Sequence, residues 1–117
     1  MTLRFHWITD DVAVAPQLAP SDVAQAAENG FRSIVNNRPD LEGGPAQPTS
    51  ASIADAANDA GLAYAFLPVQ SGYQSPAEIA RMRELLDTLP KPLLAFCRSG
   101  ARSGRLIQAA AALAARR

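Results

Sequence analysis

The chain has 117 residues, of which 48% are hydrophobic and 19% charged, a composition typical of one globular domain covering residues 1–117. Its eleven basic residues balance eleven acidic ones, so no net field attracts nucleic acid or an anionic membrane. One cysteine and one histidine exclude a disulfide framework and a Cys/His metal cluster. Because the sequence has neither a signal-peptide core nor an apolar run near the ~20 residues of a spanning helix, we expect a cytoplasmic protein with a reduced thiol.

The first half of the chain predicts two strands, two helices and one long loop. Short apolar segments predict strands, and alanine-rich amphipathic segments that stop at glycine predict helices. The elements in chain order are a strand at 12–16, a helix at 20–29, a strand at 31–36, a loop at 37–49 and a helix at 50–60. The loop carries three prolines and two glycines, and loops of this length are often functional.

The second half continues the alternation of strands and helices. A strand at 62–69 and a short loop at 70–74 precede Ser75, which begins a capping box with Pro at the first helical position. An apolar stripe at helical spacing extends that helix to Leu89. A wholly apolar strand at 92–96 and an alanine-rich helix at 101–115 follow.

This βαβαβαβα order predicts a three-layer α/β fold, in which helices flank a mainly parallel sheet of four or five strands. The apolar strand at 92–96 is expected at the centre of the sheet, where both faces are covered. Ligands of such sheets bind beyond the carboxyl ends of the strands. Cys97 directly follows the central strand and is therefore predicted to lie at the ligand-binding edge.

The segment after this strand has the residue types of an anion-binding loop. Its backbone N–H groups can converge on one point between the strand and the helix, and Gly100 permits a positive φ there. With the positive end of the helix dipole, such a site lowers a thiol pKa from about 8.5 to roughly 3.5–7.5. We therefore predict that Cys97 is a thiolate nucleophile in the loop Cys97-Arg98-Ser99-Gly100-Ala101-Arg102-Ser103.

Three side chains of the loop have predicted roles beside the thiolate. Arg102 can place its planar fork over a bound oxyanion, and Ser103 can hydrogen-bond the thiolate or the leaving atom. Arg98 is expected to point outward and attract substrate. The alternative for a lone cysteine is a small buried apolar residue, but the Gly, Arg and Ser residues that follow Cys97 favour the reactive role.

The loop resembles the active-site loop of rhodanese-type sulfurtransferases, whose motif is Cys-Arg-Ser-Gly-x-Arg-Ser. Nearly the whole chain resembles the phosphatase-like domain of beta-lactamase-hydrolase-like proteins, a family often labelled as sulfur transferases. That resemblance is carried by Asn36-Asn37-Arg38-Pro39-Asp40, Leu67-Pro68-Val69, Ser71-Gly72 and the Cys97 loop. It implies a tyrosine/dual-specificity phosphatase fold.

The sequence departs from the phosphatases of this fold at three points. They carry Cys-x5-Arg, a His before the Cys and an Asp general acid on a neighbouring loop. Here Cys97 and Arg102 are one residue closer, Phe96 replaces the His, and the loop after Val69 has no carboxylate. General acid catalysis is worth about 10²–10⁴-fold, whereas sulfite or a thiolate leaves without a proton. The sequence thus favours a sulfurtransferase that carries sulfane sulfur as a Cys97 persulfide.

Two alternatives stay open. One is a cysteine-dependent phosphatase with a Cys97 phosphoenzyme, in which Asp40 could supply the acid, although a role in loop architecture is favoured for that residue. The other is a non-catalytic module that binds anions or carries sulfur. Arg38 either adds positive charge to the site or shapes the loop, and Tyr73 either lines the rim or faces solvent. A surface or packing role is favoured for His6.

The expected substrates are small anions, namely thiosulfate, a persulfide or an aryl phosphate, with a thiol as sulfur acceptor. No cofactor or metal is expected, because the thiolate and the loop suffice for the chemistry. The resembled family also occurs joined to persulfide-oxidising domains, which implies a separate persulfide-oxidising partner enzyme for a stand-alone chain of this length. Neither nucleic acid nor a membrane is expected as a partner.

Overall fold

A five-stranded sheet between two layers of helices forms the computed structural model, which describes residues 3–115. The strands are β1 (His6–Trp7), β2 (Val12–Ala15), β3 (Ser33–Asn36), β4 (Ala63–Phe66) and β5 (Leu93–Phe96). The helices are α1 (Pro20–Glu28), α2 (Ser50–Asp59), α3 (Pro76–Thr88) and α4 (Ala101–Ala115).

The strands lie in the order β1-β2-β5-β3-β4. β1 is antiparallel to β2, and all other pairs are parallel. Phe96 at the end of β5 pairs with Ala15 on one side and with Asn36 on the other. The three-layer fold and the central position of the strand before Cys97, both predicted from the sequence, are therefore confirmed.

The direction of the crossovers assigns the helices to the two faces of the sheet. The steps from β2 to β3 and from β3 to β4 run the same way, so right-handed connections place α1 and α2 on one face. The step from β4 to β5 runs back and places α3 on the other face, where α4 packs against it. Leu94 and Phe96 pack toward α1 and α2, whereas Leu93 and Ala95 pack toward α3 and α4. β5 is thus buried on both faces, which fixes the position of Cys97.

Two elements differ from the sequence predictions. β1 was not predicted, because two exposed residues are too few to form an alternating pattern; Trp7 of this strand stacks on Phe31 at 5.3 Å between ring centroids. The predicted strand at 62–69 is shorter in the structure and ends at Phe66. The Arg38 N–H, which would continue the ladder, donates to Asn36 Oδ1 instead, and the Leu67 carbonyl accepts from the Asn37 side chain. The other predicted elements are present, with bounds that differ by one or two residues at most.

Between residues 3 and 115 the chain forms no helix of the length and apolar character needed to span a membrane.

Candidate active site

Cys97 lies at the carboxyl end of β5, with 1% of its surface exposed. The Gly100 N–H donates to its Sγ at 3.1 Å. Gly100 has a φ of +94°, and a Cβ there would stand 3.4 Å from the backbone of Ala15. The positive φ expected from the sequence is therefore present, and it allows the chain to turn back over the sulfur beside the end of β2.

The loop favours the ionised form of this cysteine. Burial raises the pKa of the Cys97 thiol, but hydrogen bonding by Ser103, Gly100 and Ser99 outweighs burial and holds the pKa below its usual value. The Ser103 hydroxyl has one proton, which it donates to Asn37 Oδ1 at 2.8 Å. We therefore attribute the lowered pKa chiefly to the backbone N–H groups at the start of α4.

The sequence predicts that the Ser103 hydroxyl bonds the thiolate or the leaving atom, but in the structure this hydroxyl donates to Asn37 instead. Ser103 and Asn37 are both completely buried. Asn37 also donates from Nδ2 to the Leu67 carbonyl at 3.0 Å and from its backbone N–H to the Phe96 carbonyl at 2.9 Å. This asparagine connects the loop after β3, the loop after β4, the end of β5 and the first turn of α4. Its role is to hold the Cys97 loop in place.

Arg102 follows Cys97 in the first turn of α4, with 8% of its surface exposed. Its Nη1 and Nη2 each donate to the Glu42 carboxylate at 3.0 Å, and Nη1 also donates to the Val69 carbonyl at 3.0 Å. Nε is buried and has no hydrogen-bond partner among the described residues. The donors left over, Nε–H and one Nη2–H, share one edge of the planar guanidinium. That edge suits two oxygens of an oxyanion.

Glu42 is the main participant that the sequence did not reveal. Besides binding Arg102, its carboxylate accepts from Arg38 Nε at 3.0 Å. The hydrogen bond from Arg102 lowers the pKa of Glu42, partial burial opposes this, and Arg38 lowers it further, so the net shift is downward. Glu42 is therefore ionised at neutral pH and is not a proton donor there. Its sequence signal was a carboxylate four residues after Arg38, in the long loop at the ligand-binding edge.

Arg38 and Arg98 are brought to the same side of the site through Gln17, just after β2. Arg38 Nη1 donates to the Gln17 side-chain carbonyl at 3.1 Å, and the Gln17 backbone N–H donates to the Arg98 carbonyl at 3.1 Å. Both arginines open onto one cavity of about 580 Å³. Its lining residues are Arg38, Glu42, Gly43, Ser71, Arg98 and Arg102.

Cys97 itself is buried and does not line this cavity, which adjoins it through Arg98 and Arg102. Other residues singled out in the sequence also lie apart from the cavity. Asp40 is exposed, and its Oδ1 accepts from the Ser50 N–H at the first turn of α2, at 2.8 Å, which is the architectural role favoured by the sequence. Tyr73 is 61% exposed and does not line the cavity. Ser99 caps the start of α4, where its Oγ accepts from the Ala101 N–H at 3.3 Å.

The arrangement combines a cysteine whose pKa is lowered with hydrogen-bond donors for an anion. Among residues 3–115 no group of three His, Cys, Asp or Glu side chains is placed to hold a metal ion. The chemistry that these residues themselves support is nucleophilic attack by Cys97 on an anion bound by the loop N–H groups and Arg102.

The sequence matches the model of one protein family over residues 3–114, that of the beta-lactamase hydrolase-like protein, phosphatase-like domain. The chain is 32% identical over 96 residues to the beta-lactamase hydrolase-like protein of Agrobacterium fabrum, covering 82% of this chain and 22% of that protein. It is 35% identical over 101 residues to the protein of the same name from Xylella fastidiosa strain 9a5c, covering 86% and 23%. The chain thus spans less than a quarter of the length of these relatives.

Solved structures with the same fold include phosphatases. A candidate phosphatase of Neisseria meningitidis Z2491 superposes with a TM-score of 0.79 at 30% identity, covering 86% of this chain and 71% of that one. The core catalytic domain of the PP-IP phosphatase SIW14 from S. cerevisiae superposes with a TM-score of 0.70 at 14% identity, covering 92% and 64%. The phosphatase-type fold implied by the sequence resemblance is confirmed. The chain belongs to the phosphatase-like domain family of beta-lactamase hydrolase-like proteins.

Proposed function

We propose that this chain is a cysteine-dependent phosphatase that acts through a Cys97 phosphoenzyme. The observation that carries the proposal is the proximity in one loop of Cys97, whose pKa is lowered at the start of α4, and Arg102, whose buried Nε has no hydrogen-bond partner between residues 3 and 115. A buried unsatisfied donor costs about 1–3 kcal/mol, and a phosphoryl oxygen at the free guanidinium edge would remove that cost. Membership of a phosphatase-like family and the shared fold support the same chemistry.

The reaction has two displacement steps. The Cys97 thiolate attacks the phosphorus atom, so that an S–P bond forms while the P–O bond to the alcohol breaks and the leaving oxygen takes the electron pair. Water then attacks the phosphorus, the S–P bond breaks, and orthophosphate and the thiolate are released. Arg102 and the N–H groups of the loop bind the non-bridging oxygens in both steps.

The carboxylates of the loop at 37–49 restrict the leaving group. Glu42 is ionised and engaged by two arginines, and Asp40 is engaged at the start of α2. Neither carboxylate is in place to protonate a departing alkoxide. The proposed substrates are therefore aryl phosphates and related species whose leaving oxygen is stable without a proton.

Sulfur transfer is the second candidate, which reverses the order predicted from the sequence because the comparisons favour phosphatases. The specific observation in its favour is the spacing of four residues between Cys97 and Arg102, together with the engagement of Glu42 and Asp40 in other contacts. In this reaction the thiolate attacks the outer sulfur of thiosulfate, a new S–S bond to Cys97 forms, the S–S bond of thiosulfate breaks, and sulfite leaves with the electron pair. An acceptor thiolate then attacks the outer sulfur of the Cys97 persulfide, a new persulfide forms on the acceptor, and Cys97 leaves as the thiolate.

Parallel assays of wild type and Cys97→Ser separate these functions. We expect wild type to hydrolyse an aryl phosphate, with a phosphate adduct on Cys97 after rapid quenching, and the variant to lose this activity. Arg102→Lys should reduce the rate strongly, because an ammonium cannot offer two coplanar donors, while Arg105→Lys on the exposed side of α4 serves as the matched control.

Two results would overturn the phosphatase proposal. Turnover of thiosulfate or glutathione persulfide without any phosphate release would establish sulfur transfer instead. Failure of both assays by a folded protein that still binds phosphate at the loop would indicate a non-catalytic anion-binding or sulfur-carrier module.

A further inference from the structure

We infer that the substrate carries a second anionic group, which binds Arg98 and Nη2 of Arg38 while the first is attacked by Cys97. This inference rests on the proposed function and specifies its substrate class. It is carried by the size, charge and construction of the cavity beside the loop.

The cavity is larger than a lone inorganic anion requires. Its volume is about 580 Å³, within the roughly 300–1,000 Å³ of pockets that enclose small organic molecules. The loop at 37–49, the loop after β4 and the loop after β5 each contribute to its walls. Because Cys97 does not line the cavity but Arg98 and Arg102 of its loop do, a substrate attacked by Cys97 that also fills the cavity extends well beyond its reacting phosphoryl group.

The guanidinium groups of the cavity differ in whether a carboxylate already binds them. Three guanidinium groups face one carboxylate, that of Glu42, which is bound by Arg38 and Arg102. The free edge of Arg102 is assigned to the reacting anion. Arg98 is exposed and forms no ion pair with any carboxylate in the described part of the chain. Arg98 is therefore the guanidinium of the cavity that a distant anionic group of the substrate can bind, apart from the group held by Arg102.

Arg38 supplies a preorganised hydrogen-bond donor to the same cavity. The residue is 9% exposed, and its guanidinium is held by hydrogen bonds from Nε to Glu42 and from Nη1 to Gln17. Its Nη2 lies beside Gly43, where a Cβ would stand only 2.7 Å away. Glycine at this position therefore leaves room for the guanidinium. A donor held in place in advance loses little entropy when an anion binds.

Two matched aryl phosphates test the inference. One ester carries a carboxymethyl group on the ring, and the other carries the corresponding carboxamide. The methylene limits the electronic effect of either group on the leaving oxygen, so the two esters differ mainly in one charge distant from the phosphate. We expect wild type to prefer the carboxylate ester by about tenfold in kcat/KM, as for a charged hydrogen bond at a partly exposed site. Added salt should reduce the preference.

Arg98→Gln should reduce the preference to about twofold or less, since the substitution removes the charge of that partner. Arg105→Gln, the same change on the exposed side of α4, should leave the preference intact. Equal kcat/KM for the two esters in wild type would overturn the inference, as would an equal loss of preference in both variants.

Calorimetry of the binding of both esters to Cys97→Ser protein tests the second anion site independently of the proposed phosphatase activity. If neither ester is hydrolysed by wild type, the phosphatase proposal fails. Tighter binding of the carboxylate ester that depends on Arg98 would still support the second anion site, whereas equal binding of the two esters would refute it.

Discussion

Glu42 holds the guanidinium of Arg102 by two hydrogen bonds of 3.0 Å, one from Nη1 to Oε2 and one from Nη2 to Oε1. The two residues lie far apart in sequence, on the loop after β3 and on α4. Because both bonds use the terminal nitrogens, the pair fixes the plane of the guanidinium and leaves its Nε edge free. Glu42 is thus placed to act as a positioning residue for Arg102.

Glu42→Gln should lower kcat without raising KM. The substitution removes a negative charge from the cavity and replaces one acceptor oxygen by a donor, so Arg102 loses its fixed orientation. We expect kcat for an aryl phosphate to fall about tenfold, as for a displaced catalytic group. KM should not rise, because the cavity becomes more positive. The matched control is Glu84→Gln, which removes a carboxylate paired with Arg81 on the exposed face of α3; an unchanged kcat in Glu42→Gln would contradict the positioning role.

The Cys97 loop could be predicted from the sequence, whereas the contact between Glu42 and Arg102 could not. The Cys97 loop could be predicted because its chemistry is local: a buried strand, a glycine and the start of a helix follow one another along the chain. Glu42 could not be assigned, since its role depends on how a proline- and glycine-rich loop folds back over α4. For Ser103 the predicted bond to the thiolate competes with Asn37, whose position depends on strand order. The central strand was predictable because residues 93–96 are all apolar, whereas β1 has only two exposed residues.

The pH dependence of thiol alkylation tests the activation of Cys97. Because the folded protein holds the pKa of this thiol below its usual value, the thiolate should persist to lower pH than in a free cysteine. We expect the pH at which the rate of Cys97 alkylation by iodoacetamide is half-maximal to lie below about 8.5 in the folded protein. In urea-unfolded protein this pH should return to about 8.5. A midpoint in folded protein at or above that of the unfolded chain would contradict the proposed activation.

Ser103→Ala should destabilise the protein without altering its fold. The change leaves the completely buried Asn37 Oδ1 without its 2.8 Å donor, and such an orphaned acceptor costs about 1–3 kcal/mol. Urea unfolding, with the midpoint compared at constant m-value, measures the loss. Ser21→Ala on the exposed side of α1 should change stability by less than about 0.5 kcal/mol. Equal stability of the two variants would show that the Ser103–Asn37 bond is dispensable.

Asp40 variants distinguish a general acid from an architectural residue. Asp40→Asn keeps an acceptor for the Ser50 N–H but cannot donate a proton in catalysis, so we expect the pH–rate profile for phenyl phosphate to match that of wild type. Asp40→Ala should lower the free energy of unfolding by about 1 kcal/mol, as for loss of a helix-capping side chain. Selective loss of activity toward poor leaving groups in Asp40→Asn would identify Asp40 as the acid after all.

The position of β5 between β2 and β3 has a consequence for the order of assembly. Among residues 3–115 β5 follows the other four strands in sequence, yet it fills the gap between β2 and β3, which come much earlier in the chain. β3, α2 and β4 can associate locally, whereas β2 joins them only through β5. The lowered pKa of Cys97 therefore requires both a closed sheet, which positions the sulfur, and a docked α4, which brings its N–H donors.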